Sequence, residues 1–364
     1  MSKKLRLAIL HFGLTEYAYQ CWAALAARAD VELWGGTLGW AMLGAKVFQE
    51  NVTDRTRSFD VRKFDAGAVD QIVAEIGAFG PEIYIGHGWK PKAPMTVAKR
   101  LKKKRIRTVC CADTPWLGTV RQSVRCILGG PLVRSAYEAI FIPGARGIPP
   151  ARLMGFPDTR IWQNLYCGNS DLFSRGTRER LGTAHEDGHW PQRFIFVGRL
   201  VDVKNVRGLL AAYKIYRTMA KDPWPLSIVG DGPLINEVRN QPGVECLGWL
   251  KAEEISRQMA CSGVFILPSF YEPWGVVVHE AACRGLPLML SLDVAASSDL
   301  LRDGYNGRIF DAKDPTQIAQ MMRWFSEHPR LWEFGQRSFE ISHQFSPALW
   351  ADHVVTRSHE LLQS

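Results

Sequence analysis

Short apolar runs alternate with helical patterns twice along this chain. That alternation restricts it to an α/β architecture with largely parallel sheets. The second series is the more regular. It predicts strands at Arg193–Val197, Leu226–Val229, Val244–Leu247, Val264–Leu267 and Pro287–Ser291. Helices are expected between them at Asn205–Ala220, Pro233–Asn240, Ala252–Cys261 and Val276–Arg284, and the tail from Asp314 reads as mostly helical. The first series predicts strands at residues 5–10, Val31–Trp34, Glu82–Gly86, Arg107–Ala112 and Ala139–Ile142, with helices at Glu16–Ala29, Val69–Phe79 and Met95–Lys104. Gly35 to Gly44 reads as a glycine-punctuated loop. Between Gly168 and Gln192 the pattern fails, and polar residues take over. The expected organisation is therefore a domain over 1–170, a linker over 171–192 and a second domain over 193–345. A terminal helix over 346–364 is expected to pack back on the first domain.

The composition excludes several classes. A chain of 364 residues is long for one core. No apolar run approaches the ~20 residues that span a bilayer. The basic start is followed by an apolar run that breaks at His11 and Gly13, so a first strand is expected there rather than a signal peptide, and the expected compartment is the cytoplasm. The eight cysteines include no Cys-x-x-Cys pair and no zinc-ligand spacing, which points to reduced structural thiols and no metal site. The net charge of +9 is unevenly placed, because Lys99–Arg107 holds seven cations in nine positions. Such a run suits phosphate on an anionic membrane surface, or else a solvated helix end. No nucleic-acid motif accompanies it, so nucleic acid is not an expected partner.

Three stretches carry chemistry. In Phe270-Tyr-Glu-Pro-Trp-Gly-Val-Val-Val-His-Glu280, Glu272 falls on a rigid loop at a strand end and Glu280 in the opening turns of the next helix. Both acids can face the crevice where open α/β sheets hold ligands, and the backbone N–H groups near Gly275 can cradle an anion. In Gly198-Arg-Leu-Val-Asp-Val-Lys204, a glycine lets the backbone turn. Arg199 and Lys204 then offer a planar fork and a mobile point charge, the pair a diphosphate wants. Val229-Gly-Asp-Gly-Pro233 is another strand-to-helix turn, but neither a P-loop nor a Gly-x-Gly-x-x-Gly fingerprint is present, which disfavours dinucleotide cofactors. Leu247-Gly-Trp-Leu250 is a fourth turn, where Trp249 serves as wall or core.

Taken together, Gly198-Arg-Leu…Lys204, Gly230-Asp-Gly-Pro, Leu247-Gly-Trp, Glu272-x7-Glu280 and Gly285-x-Pro287 resemble, in order and spacing, the retaining GT-B-fold glycosyltransferases of family four. Asp299 to Gly307 is similar to that family's loop after the sixth strand. The likeness is dense over 193–312 and diffuse over 1–190. It implies two Rossmann-like domains facing across a cleft, with a nucleotide-diphosphate sugar (UDP or GDP) as donor substrate and no cofactor or metal. It also implies roles. Arg199 and Lys204 would bind the diphosphate and Glu280 the ribose. Glu272 and the backbone of Trp274, Gly275 and Val276 would hold the donor sugar, and the turn at Trp249 would contact the base. Relatives often carry a histidine at a strand end of the first domain. Here Asp113 occupies the matching place, and His87, in Ile85-Gly-His-Gly-Trp89, is a second catalytic candidate. The double-glycine loop after the first strand is reduced to Gly13.

The expected activity is hexose transfer to a glycan or lipid-linked hydroxyl, in surface polysaccharide or glycoconjugate biosynthesis. A nucleotide-sugar epimerase or hydrolase, or a non-catalytic nucleotide-sugar binder, is the alternative. Residues 99–107 and 126–134 motivate a peripheral membrane contact.

Overall fold

The computed structural model describes residues 3–39, 61–65, 67–88 and 92–364. It divides into two units, one formed by Met1–Cys167 with Ser346–Ser364 and the other by Gly168–Phe345. Residues 40–44 of the expected glycine loop, and Trp89, lie outside the described residues.

The first unit holds a seven-stranded parallel sheet. Its strands are β1 Leu5–Phe12, β2 Val31–Leu38, β3 Val61–Phe64, β4 Ile83–His87, β5 Arg107–Cys111, β6 Ala139–Phe141 and β7 Ile161–Trp162. Their order is β3-β2-β1-β4-β5-β6-β7. Leu7, Ala8, Ile9 and Leu10 of β1 are buried, as are Ile83, Tyr84 and Ile85 beside them, so the central strands read as continuous apolar runs. Gly35 and Gly36 belong to β2 rather than to a loop. The Trp34 ring lies over Gly36, where a Cβ would approach it to within 2.7 Å or less, and so a glycine is needed inside the strand. The helix Pro347–Leu362 is part of this unit: Trp350 stacks on Phe141 and donates from Nε1 to the Leu165 carbonyl at 3.0 Å.

The second unit has six parallel strands: β8 Phe194–Val197, β9 Leu226–Val229, β10 Val244–Gly248, β11 Val264–Leu267, β12 Leu288–Ser291 and β13 Gly307–Phe310. Their order is β10-β9-β8-β11-β12-β13, the same pattern of reversal as in the first unit. Each sheet therefore changes direction of strand addition once, at β1/β4 and at β8/β11. Those are the switch points where the loops at the carboxyl ends part to make room for a ligand.

Two expectations need correction here. Residues 171–192 are not a linker. They carry the helices Ser170–Phe173 and Thr177–Asp187 within the second unit. Arg180 donates to the Arg284 and Ser262 carbonyls at 2.9 and 2.6 Å and lies over the Trp190 ring. Trp190 in turn donates to the Gly263 carbonyl at 2.9 Å, so a segment polar in composition is tied down by backbone carbonyls. Asp299–Gly307 also precedes the sixth strand of this sheet, β13, instead of following it.

Candidate functional site

In the second unit the loops at the carboxyl ends of the strands are stitched together by backbone bonds. The loop after β8 meets the loop after β9 through Gly198 N–H to the Val229 carbonyl (3.0 Å) and Leu200 N–H to the Asp231 carbonyl (2.8 Å). Gly230 N–H continues the row to the Gly248 carbonyl after β10, at 2.7 Å. This close approach is why Gly-Asp-Gly stands after β9. Gly230 and Gly232 have φ of +145° and +152°, and a Cβ on either would overlap the carbonyl oxygen of Gly198 or Leu200. The motif is a packing surface for the cationic turn.

That turn runs from Gly198 to Asn205. Arg199 is exposed at its start. Val201 to Lys204 closes as a 3-10 turn, and Asn205, at φ +54°, redirects the chain into the helix Val206–Met219. Asn205 is buried and its side-chain amide donates to the Ala312 carbonyl at 2.6 Å, which fixes the turn's exit. The loop after β11 joins it through Phe270 N–H to the Val203 carbonyl at 2.9 Å.

Lys204 and Glu272, expected to hold different parts of one ligand, form a direct ion pair. Their side chains are only 13% and 11% exposed, so each charge has given up most of its water and is compensated by the other. Glu272 is held from behind. Its N–H donates to the Asp293 carbonyl (3.2 Å), and its own carbonyl accepts from Ala295 N–H (3.1 Å), both in the loop after β12. Gly275, at φ +95°, then turns the chain into the helix Val276–Cys283. A Cβ there would stand 3.0 Å from the Glu272 Cγ. The Trp274 side chain is buried beside Phe345 and His279, so only its backbone is available to a ligand. Trp249 stands partly exposed after β10.

Glu280 lies in the second turn of that helix, against Gly168, where a Cβ would come within 2.7 Å of its Cγ. Its neighbour His279 fixes the helix in place. Nδ1 accepts from Gly168 N–H at 2.9 Å, so Nε2 carries the proton and faces the Ser342 carbonyl at 3.2 Å. Burial pulls this imidazole down to about 4. Neither Gly168 nor His279 belongs to the expected set. Nothing in their local sequence reports a contact spanning 111 residues.

The first unit brings other residues together. His87 ends β4, and His11 lies near the end of the adjacent β1, with ring centroids 4.0 Å apart. His11 is absent from the expected set, although the signal was present as an imidazole interrupting an apolar strand. Its Nδ1 lies 3.2 Å from the Phe12 and Gly13 carbonyls, which assigns the proton there and leaves Nε2 as an acceptor. That Nε2 and the Nδ1 of His87 are buried with no hydrogen-bond partner among the described residues. Gly13, at φ +67°, turns the chain directly after β1. Asp113 follows β5, and burial pushes its carboxyl above the usual range, opposed in part by His11. Gly13, His87 and Asp113 therefore share the switch-point edge of the first sheet with His11.

Burial, and then the neighbouring His87, pulls His11 down to about 3; burial pulls His87 down to about 4. An unfolded chain takes up protons at these residues near pH 6.5, whereas the folded chain does not. Their contribution to stability is thus intact above that pH and is lost as the pH falls toward 4. The melting midpoint is expected to drop over this window, and His11→Gln/His87→Gln is expected to flatten the drop. Equal slopes in the two proteins would reject a buried neutral pair.

Residues 191–328 match the family model described as glycosyl transferases group 1. The O-antigen chain mannosyltransferase B of Escherichia coli is 26% identical over 177 residues, which is 46% of this chain and 46% of that protein. The chain spans less than half the length of the curated relatives it matches. Among solved structures, HepE from Anabaena, in complex with UDP, superposes with a TM-score of 0.73 at 15% identity, covering 97% of this chain and 99% of HepE. A glycosyltransferase from Rickettsia africae gives 0.72 at 12% identity and full coverage of both chains. Residues 191–328 are thus similar to the glycosyl transferases group 1 family, and the two parallel-sheet units have the GT-B fold.

Proposed function

We propose that this protein is a retaining glycosyltransferase. It moves a hexose from a nucleotide-diphosphate sugar to a hydroxyl of a glycan or lipid-linked acceptor, in surface polysaccharide or glycoconjugate biosynthesis. The observation that supports this best is the buried Lys204–Glu272 pair, held at the switch point between the cationic turn and the opening of the helix Val276–Cys283. A diphosphate entering here competes with Glu272 for Lys204, draws in Arg199 and lies toward the backbone N–H groups that follow Gly275. Glu272, released from the lysine, accepts from the sugar hydroxyls. Glu280 accepts from the ribose hydroxyls.

As the bond between the anomeric carbon and the phosphate oxygen breaks, negative charge grows on the departing diphosphate. Preorganised cations at that point are worth most in the transition state, so no metal is required for departure. The sugar passes through an oxocarbenium-like state, and attack from the face of the leaving group preserves the anomeric configuration. In the first unit, His87 and Asp113 orient a sugar hydroxyl or the acceptor, and the neutral His11 supports His87.

HepE was solved with UDP and with UDP-glucose, which makes uridine donors the first to test. A ligand at 100 times its Kd stabilises the folded state by about 2.7 kcal/mol. One UDP- or GDP-sugar is therefore expected to raise the melting point by several degrees, with the free nucleoside giving no shift. Sugar transfer is then expected to require acceptor. Release of free sugar at full rate without acceptor would support a hydrolase or epimerase instead. A screen with no responding nucleotide sugar would remove the donor site.

A further inference from the structure

The helix Val120–Ala136 is built inside out. Its buried residues are small: Gly130, Val133 and Ala136. Gly130 lies so close to the Met154 carbonyl that a Cβ would overlap it. The large aliphatic residues point outward instead. Val120, Val124, Ile127, Leu128 and Leu132 recur with helical spacing along one face, and Leu117 precedes them. Val120 is 79% exposed and Leu128 76%. Among the described residues thirteen large hydrophobic side chains are exposed and these account for six, so the apolar surface is concentrated rather than scattered.

The charge around this face is one-sided. Residues 88–137 contain 12 of the 45 cations and one of the 36 acids, Asp113. The remaining chain, with 33 cations and 35 acids, is net −2, so the basicity of the whole protein comes from this stretch. Arg121, Arg125 and Arg134 on the helix are exposed. The neighbouring helix Lys92–Lys103 joins it where Lys102 Nζ donates to the Arg134 carbonyl at 3.4 Å, and Lys99 lies one turn earlier on the same side. Within the run 99–107, the ion pairs among the described residues are Arg100 with Asp70 and Arg107 with Glu138.

We propose that this face docks on an anionic lipid bilayer. The aliphatic stripe enters the boundary between headgroups and acyl chains, and Arg121, Arg125, Arg134, Lys99 and Lys102 meet the lipid phosphates. The two signals needed for stable surface attachment, an inserted apolar face and a basic patch, are both present. The stripe carries aliphatic side chains without a tyrosine, tryptophan or acid among them, which suits hydrocarbon better than the mixed surface of a protein partner. The inference is independent of the transferase reading, because a chain that binds no donor can still dock.

Flotation of the full chain on phosphatidylcholine vesicles, with and without about one-third phosphatidylglycerol, tests it. The protein is expected to float with the anionic vesicles at least about tenfold more than with neutral ones. Val124→Asp/Leu128→Asp should lower that binding at least about tenfold, and Arg121→Gln/Arg125→Gln should reduce it most at low salt. All four side chains are exposed, so unchanged circular dichroism and melting are expected. Absence of flotation, equal binding to neutral vesicles or full binding by the Asp variant would overturn the proposal. So would sedimentation in which the Asp variant turns a dimer into a monomer while flotation persists, since a second copy would then cover the stripe.

Discussion

Lys204→Met is expected to weaken nucleotide-sugar binding by about a hundredfold or more, because a mostly buried diphosphate loses a charge-assisted partner. The same change leaves the Glu272 carboxylate uncompensated in a site where its side chain is 11% exposed. Breaking one side of a buried pair costs roughly 3–5 kcal/mol, so the second unit should also melt earlier. The two effects separate in a double-mutant cycle. Lys204→Met/Glu272→Gln removes both charges and should regain most of the lost stability, yet bind donor no better than Lys204→Met. Calorimetric titration and denaturant melting of the four proteins read out both quantities. Donor affinity that returns with stability in the double variant would make the pair a scaffold rather than a binding element.

Gly230→Ala is expected to be the most damaging methyl group that can be added to this unit. At φ +145° an L side chain is strained by about 1–3 kcal/mol. The new Cβ also overlaps the Gly198 carbonyl, which belongs to backbone and cannot rotate away. Overpacking of this kind adds roughly 1–3 kcal/mol. The turn carrying Arg199 and Lys204 has to move, so donor binding falls together with stability. Gly182→Ala provides the opposite sign. Gly182 is exposed inside the helix Thr177–Asp187 with nothing within 4 Å of the new Cβ, and alanine there should stabilise by up to about 1 kcal/mol. Denaturation midpoints that move equally for both variants would reject the packing role assigned to the Gly-Asp-Gly turn.

Five of the six strands of the second sheet were legible as short apolar runs, four of them closed by glycine or proline, as Val264–Leu267 is by Pro268, whereas Gly307–Phe310 was missed because Arg308 interrupts its apolar pattern. The position of Arg199, Lys204 and Glu272 on the loops after strands, and of Glu280 on the helix that follows, came from that. Their pairing did not. Lys204 and Glu272 are 68 residues apart, and only the β8/β11 reversal brings their loops together. The helix Val120–Ala136 was hidden by Gly129-Gly130-Pro131, which reads as a turn; tertiary contact with Met154 makes a glycine useful there. The edge strand β7, two residues long, carries too little pattern to register. Residues 171–192 misled for a related reason, since composition cannot report that Arg180 and Trp190 bind distant carbonyls.

The most direct test is a crystal structure of the chain with a bound nucleoside diphosphate. Phosphate oxygens are expected within about 2.7–3.2 Å of Lys204 Nζ and the Arg199 guanidinium, with the Lys204–Glu272 pair opened. A diphosphate bound elsewhere on the protein, with that ion pair left closed, would contradict that expectation.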